Sequence, residues 1–166
     1  MPITPFHFGP GLLTKAVAPR FFSLSAYCAT QVVIDFESAY FLFMGGWPLH
    51  RDLHTLLGGA LVGLVVAVLV VGVGSRSKRL SALATRPLFT AEFAIGPCLL
   101  GGVAGGLLHA VLDGVMHSDV QPLQPFSIAN PFYGELSLGH LHLLLTASGL
   151  VALPLILRPR LWRAAG

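Results

Sequence analysis

Four long runs of mainly apolar residues dominate the chain: Phe21 to Phe43, Leu53 to Val73, Ala91 to Val115 and Leu138 to Leu157. Each is near the ~20 residues with which an α-helix crosses about 30 Å of hydrocarbon. The titratable positions gather at the ends of these runs. His50 and His54 open the second, His109, Asp113 and His117 close the third, His140 and His142 open the fourth, and Asp35 and Glu37 lie in the second half of the first. Four antiparallel spans put all of these on one side, so every histidine except His7 falls at one end of the bundle.

Spacing adds direction to that placement. His109, Asp113 and His117 follow i, i+4, i+8, and each four-residue helical step drifts by only ~40°, so the three side chains share one face. His50 and His54 repeat the i, i+4 step. Asp35 and Glu37 are i, i+2 and point about 200° apart, so only one can face the bundle interior. Asp35 is expected to be the working residue, because it lies deeper and an idle carboxylate within a span is costly. His140 and His142 also diverge, and at most one should join a shared site.

Composition fixes the class. The 166 residues are 54% hydrophobic and 10% charged, against roughly 25% charged in a soluble domain. The pattern predicts an all-α integral membrane bundle, a single transmembrane domain over residues 1–166 with four long spans and a short N-terminal helix. Arg76, Lys78, Arg79 and Arg86 follow the second span, Arg158, Arg160 and Arg163 follow the fourth, and Lys15 and Arg20 precede the first. The positive-inside rule puts these in the cytoplasm with both termini, and the histidine-rich end on the non-cytoplasmic face of an inner or plasma membrane if the source is bacterial. No basic stripe interleaved with aromatics points to nucleic acid.

The N-terminal MPITPFHFGPG lacks a basic n-region and apolar core, so no removable signal peptide is expected. His7 starts on the wrong side for the cluster unless residues 8–19 descend toward it, and a short, partly buried helix beginning near the site is predicted. Cys28 and Cys98 have no CxxC partner and read as packing residues. Gly58, Gly59 and Gly63, with Gly101, Gly102, Gly105 and Gly106, read as helix-packing surfaces, not phosphate loops. The proline-rich 116–137 loop is either a cap over the site or an interfacial connector carrying Phe126, Phe132 and Tyr133.

Imidazoles and carboxylates without thiolates are a ligand set for a divalent metal, Zn²⁺ foremost. His54, Asp35, His109 and Asp113 are expected to hold it, with His50 or His117 completing the shell or acting as general base. Arg51 is the only basic residue at that end and would bind a phosphate or carboxylate, or else pair with Asp52, Asp119 or Glu135. No Ser-His-Asp or Cys-His arrangement competes, so hydrolysis by metal-activated water is the leading expectation. A small phosphoester or a membrane-lipid headgroup is the expected substrate. A metal-binding or transport protein, and a structural membrane protein with an incidental histidine face, are the alternatives.

The order Pro5-x-His7, Asp35, His50-Arg51-x2-His54-Thr55, His109-x3-Asp113, His117 and Pro125-Phe126 resembles the YdjM-like family of small inner-membrane proteins described as metal-dependent hydrolases. It covers about residues 1–145. The ligand order is also similar to the zinc phospholipase C and P1-nuclease group of phosphoesterases, soluble helical proteins with three zinc ions. The resemblance implies metal ligation by His7, Asp35, His50 or His54, His109 and Asp113. A second HxxxD and a processed N-terminal amine, which serve as ligands in the soluble group, are not expected here, so one or two ions replace three.

Overall fold

The computed structural model describes residues 5–84 and 86–157, and among them all regular structure is helical. A 3₁₀ turn, Pro5–His7, leads into the short α1, Phe8–Val17. The long helices are α2, Leu24–Phe43, α3, Leu56–Arg76, α5, Ile95–Met116, and α6, Leu138–Ile156, with α4, Lys78–Leu83, between α3 and α5. Three of the four, α3, α5 and α6, are long and apolar enough to cross a membrane, one fewer than expected. The exception, α2, has 20 residues but carries Gln31, Asp35, Glu37 and Ser38.

Capping sets the boundaries and corrects two of them. Ser23 Oγ accepts from Ala26 N at 3.1 Å to open α2. Thr55 Oγ1 accepts from Gly58 N at 2.8 Å, so α3 starts at Leu56 and not near Leu53. His50 and His54 therefore precede the helix, and their i, i+4 spacing is not a helical one. Asp52–His54 instead forms a 3₁₀ turn. The third long helix starts at Ile95, after turns at residues 91–94 that include Ala91 in the left-handed region at φ 56°. His117 is the C-cap of α5, with extended φ and ψ, so the stripe leaves the helix after Asp113.

Backbone proximity organises the bundle around α5. A Cβ on Gly102 or Gly106 would overlap the carbonyl oxygens of Gly63 and Gly59 on α3, and one on Gly101 would overlap that of Ser23 at the start of α2. Two faces of α5 are thus bare so that two helices can lie against it, as packing in lipid favours. On the other flank Gly9 of α1 lies against the Leu145 carbonyl of α6, and Gly11 against the Tyr27 ring. Leu141 and Leu145 of α6 pack with Leu112 of α5.

At the end of the bundle away from the histidines, Lys15 departs from its expected role as a topology signal. It is fully buried, with Nζ 2.5 Å from Glu92 Oε2. Nζ also donates to the carbonyls of Phe22 at 2.8 Å and Pro19 at 3.0 Å. Glu92 in turn accepts from Ser25 N at 2.5 Å and Ser23 Oγ at 3.3 Å. Arg20, Arg76, Lys78, Arg79 and Arg86 are exposed there, while Arg158, Arg160 and Arg163 lie outside the described residues. Cys98 is buried beside Ala26 and Ala67, and its thiol donates to the Glu92 carbonyl at 3.2 Å.

Candidate metal centre

Asp113, near the C-terminal end of α5, is the hub of the other end. One of its oxygens, Oδ2, lies 3.2 Å from His109 Nε2, 3.5 Å from His54 Nε2 and 3.9 Å from His50 Nε2. The second oxygen, Oδ1, lies 3.5 Å from His7 Nε2. Asp35 Oδ1 approaches His109 Nε2 at 3.5 Å. Ligand atoms of Asp35, His54, His109 and Asp113 all lie within 4.8 Å of one another, as do those of His50, Asp113 and His117. Two groups thus share one carboxylate.

Different parts of the chain supply these side chains. The Gly-to-Gly contact of α3 with α5 carries the 51–54 turn over the end of α5, where His54 reaches His109 and Asp113. His7 is delivered by α1, whose first turn is tied down when Tyr27 Oη donates to the His7 carbonyl at 2.8 Å. The 117–137 loop folds back onto the site: Asn130 Nδ2 donates to the carbonyls of Gly114 and His117 at 2.9 and 3.2 Å, and Leu56 N donates to the Pro122 carbonyl at 2.9 Å.

Three imidazoles are held from behind. His54 Nδ1 meets Glu37 Oε2 at 2.9 Å, His50 Nδ1 meets Asp119 Oδ1 at 3.0 Å, and His109 Nδ1 meets Gln31 Oε1 at 2.5 Å. Each acceptor places the ring proton on Nδ1 and turns Nε2 toward Asp113, the arrangement usual for metal-binding histidine, and His54 Nε2 also accepts from Ser38 Oγ at 3.1 Å. Glu37 also accepts from Arg51 N at 3.0 Å and Leu53 N at 3.1 Å, so it fixes the whole 51–54 turn. Gln31, Glu37 and Asp119 are the site residues that spacing did not assign. Their signal was the presence of further buried-end polar groups within reach of the histidines.

Electrostatics agrees with neutral ligands outside the helices. Burial pushes His7 down to about 4 and lowers His54, whose bond to Glu37 works the other way. Burial also lowers His117. For Asp119 burial acts upward, but hydrogen bonds from the His50 ring and from the Leu49 and His50 amides hold it below the usual carboxylate range.

The residues fit a divalent ion. His7 Nδ1 and Nε2 and His109 Nε2 are buried without a hydrogen-bond partner, a costly arrangement that a cation among them would relieve. The donors are nitrogen and oxygen only; Cys98 is at the far end of α5. His140 pairs with Ser137 Oγ at 2.7 Å in an exposed position and His142 stacks near Phe6, so neither joins the groups. His117 stacks on His50 with ring centroids 4.4 Å apart and is half-buried.

Arg51 is near but not among the ligands. Its Nε donates to the Pro48 carbonyl at 3.0 Å and its guanidinium lies 3.6 Å from the centre of the Phe41 ring. Among the described residues it forms no ion pair with Asp52, Asp119 or Glu135. With His50, Trp47, Asp52, Gln121 and Gln124 it lines a polar cleft of about 370 Å³. No family model, curated protein or solved structure matches the chain.

Proposed function

We propose that the protein is an integral membrane metal-dependent hydrolase that cleaves a phosphoester by activated water at the non-cytoplasmic membrane face, with both termini in the cytoplasm. The single observation that carries this reading is the set of three imidazoles, His50, His54 and His109, each anchored at Nδ1 and each turning Nε2 toward Asp113. In this reading α2 also crosses the membrane, with Gln31 and Asp35 turned inward and buried.

Asp35, His54, His109 and Asp113 would hold one Zn²⁺-type ion, with His7 Nε2 against the other Asp113 oxygen. Such an ion supplies Lewis acidity, making water at the site acidic enough to attack near neutral pH. His117, half-buried and with no hydrogen bond to its ring among the described residues, takes the proton from the attacking water. The water oxygen bonds to phosphorus, the bond from phosphorus to the leaving oxygen breaks, and His117 returns the proton to that oxygen. The products are an alcohol and, from a diester, a phosphate monoester or, from a monoester, inorganic phosphate.

A transport reading gains something from the buried polar positions Ser23, Thr30, Gln31, Asp35 and Ser38 along α2. The path they trace ends where Ser23 meets Glu92, whose carboxylate is already neutralised by the buried Lys15 ammonium and so offers a cation no free charge. Metal content of the protein purified in mild detergent tests the hydrolase reading first. Stoichiometric metal is expected in the wild type and its loss in His109→Ala and Asp113→Asn; no bound metal in the wild type sinks the mechanism. Metal flux into liposomes without turnover of any phosphoester would favour transport.

A further inference from the structure

Ser38 brings an uncharged hydroxyl in among the ligand groups. It is 2% exposed, and with Gln31 and Asp35 it forms an i, i+4, i+7 stripe along the buried face of α2. The three reach the same two rings: Gln31 Oε1 meets His109 Nδ1 at 2.5 Å, Asp35 Oδ1 lies 3.5 Å from His109 Nε2, and Ser38 Oγ lies 3.1 Å from His54 Nε2. Gln31 supports a ring from behind, whereas Ser38 meets one at the nitrogen that faces Asp113. Hydroxyls inside helices ordinarily donate to the carbonyl one turn back. Thr30 Oγ1 does so on the same helix, to Ala26 O at 2.9 Å, and Thr14 Oγ1 does so on α1, to Pro10 O at 2.8 Å. Ser38 turns instead to His54, its only side-chain hydrogen bond among the described residues.

That bond cannot coexist with an ion on His54. Glu37 fixes the ring proton on Nδ1, so Nε2 has a single lone pair, and an ion bound there takes it from the Ser38 proton. The buried hydroxyl is then left beside the ion without its partner, an arrangement native proteins avoid. Direct ligation by Oγ is the poorer solution. Asp35, His54, His109 and Asp113 already supply oxygen and nitrogen donors, and a neutral alcohol competes weakly with carboxylate and imidazole for a Zn²⁺-type ion. Water is the remaining partner. The Ser38 proton then goes to the Ile34 carbonyl, in the manner of Thr30, which leaves the Oγ lone pairs free to accept a hydrogen bond in the site.

Resting on the hydrolase reading, we infer that Ser38 Oγ holds the attacking water. One water proton is hydrogen-bonded to Ser38 Oγ, which turns a lone pair of the oxygen toward phosphorus. As that oxygen bonds to phosphorus and the bond to the leaving oxygen breaks, the other water proton passes through His117 to the leaving oxygen. The proton held at Ser38 stays on the attacking oxygen and departs with the phosphate product. Ser38 aligns the nucleophile and neither gains nor loses a proton.

The test uses the full-length protein in mild detergent, loaded with Co²⁺, whose visible spectrum reports the number and kind of groups around it. Ser38→Ala should bind Co²⁺ at least as tightly as the wild type in competition with a chelating dye, since the ion no longer displaces a hydroxyl proton. Its visible spectrum should differ from that of the wild type, and Ser38→Thr, which keeps the hydroxyl, should restore it. With bis(p-nitrophenyl) phosphate as the probe, Ser38→Ala should lose about 10- to 100-fold in kcat with little change in KM, again restored by Ser38→Thr. Weaker Co²⁺ binding in Ser38→Ala would make Ser38 a ligand and overturn the inference, as would a spectrum that Ser38→Ala leaves unchanged. The expected binding and spectra without turnover of any phosphoester by the wild type would show the serine holding water and fail the hydrolase reading alone. Wild-type turnover that Ser38→Ala leaves intact would fail the serine alone.

Discussion

Glu37 shows how a residue can be central to a candidate metal centre without belonging to the groups that would hold the ion. Two positions from Asp35, it points away from the ligand groups, as the i, i+2 geometry requires, and meets the 51–54 turn instead. Its carboxylate both orients the His54 ring and satisfies two amides, so Glu37→Gln should weaken metal affinity by about 10- to 100-fold, measured by competition with a chelating dye, while leaving the ligand set intact. An unchanged affinity would show that His54 needs no such orientation. His7 yields a pH prediction. Its folded value is depressed to about 4 from 6.5, so between those limits the unfolded chain binds a proton that the folded chain refuses. Stability of the metal-free protein should therefore be retained above pH 6.5 and fall as pH drops toward 4, by roughly 3 kcal/mol from this group. His7→Asn should flatten that part of the profile in thermal melts.

Among the helices, the long apolar runs were legible because length and hydropathy alone select membrane-type helices, and α1 was legible from the need to bring His7 to the cluster. The ends were not, since Thr55 and Ser23 act through single capping bonds that an apolar run conceals. Asp35, His109 and Asp113 could be read from depth and spacing within helices. Gln31 and Asp119 could not, because their partners are 78 and 69 residues away in the chain. Lys15 misled for the same reason: a lysine near a span reads as a topology signal until Glu92, far along the sequence, is brought against it. Removing one member of that pair strands a buried charge, so Glu92→Gln should cost about 3–5 kcal/mol, whereas Lys15→Met with Glu92→Leu should be close to neutral. Chemical or thermal unfolding of the two variants distinguishes them, and equal losses would contradict a paired-charge origin. Gly106→Leu should be worse tolerated than Leu107→Ala, because Gly106 meets Gly59 backbone while Leu107 is 38% exposed. Yield of folded protein reads that comparison.

For the whole molecule, exposed positive charge collects at one end and the histidines, Asp113 and the exposed aromatics Phe43, Trp47 and Phe126 at the other, which gives the proposed orientation a direct test. A reporter fused after Pro122 should be active only outside the cytoplasm, and one fused within residues 78–84 only inside it; the reverse pattern inverts the topology. The glycine faces of α5 have a mechanical consequence as well. A helix seated backbone to backbone on neighbours along two sides can neither slide nor roll without side chains colliding with carbonyls. The end of α5 that carries His109 and Asp113 is thus expected to be its least mobile part, so that access to these side chains falls to residues 44–55 and 117–137. In hydrogen exchange those two loops should open quickly while the amides of α5 from Gly101 to Asp113 remain among the last to exchange.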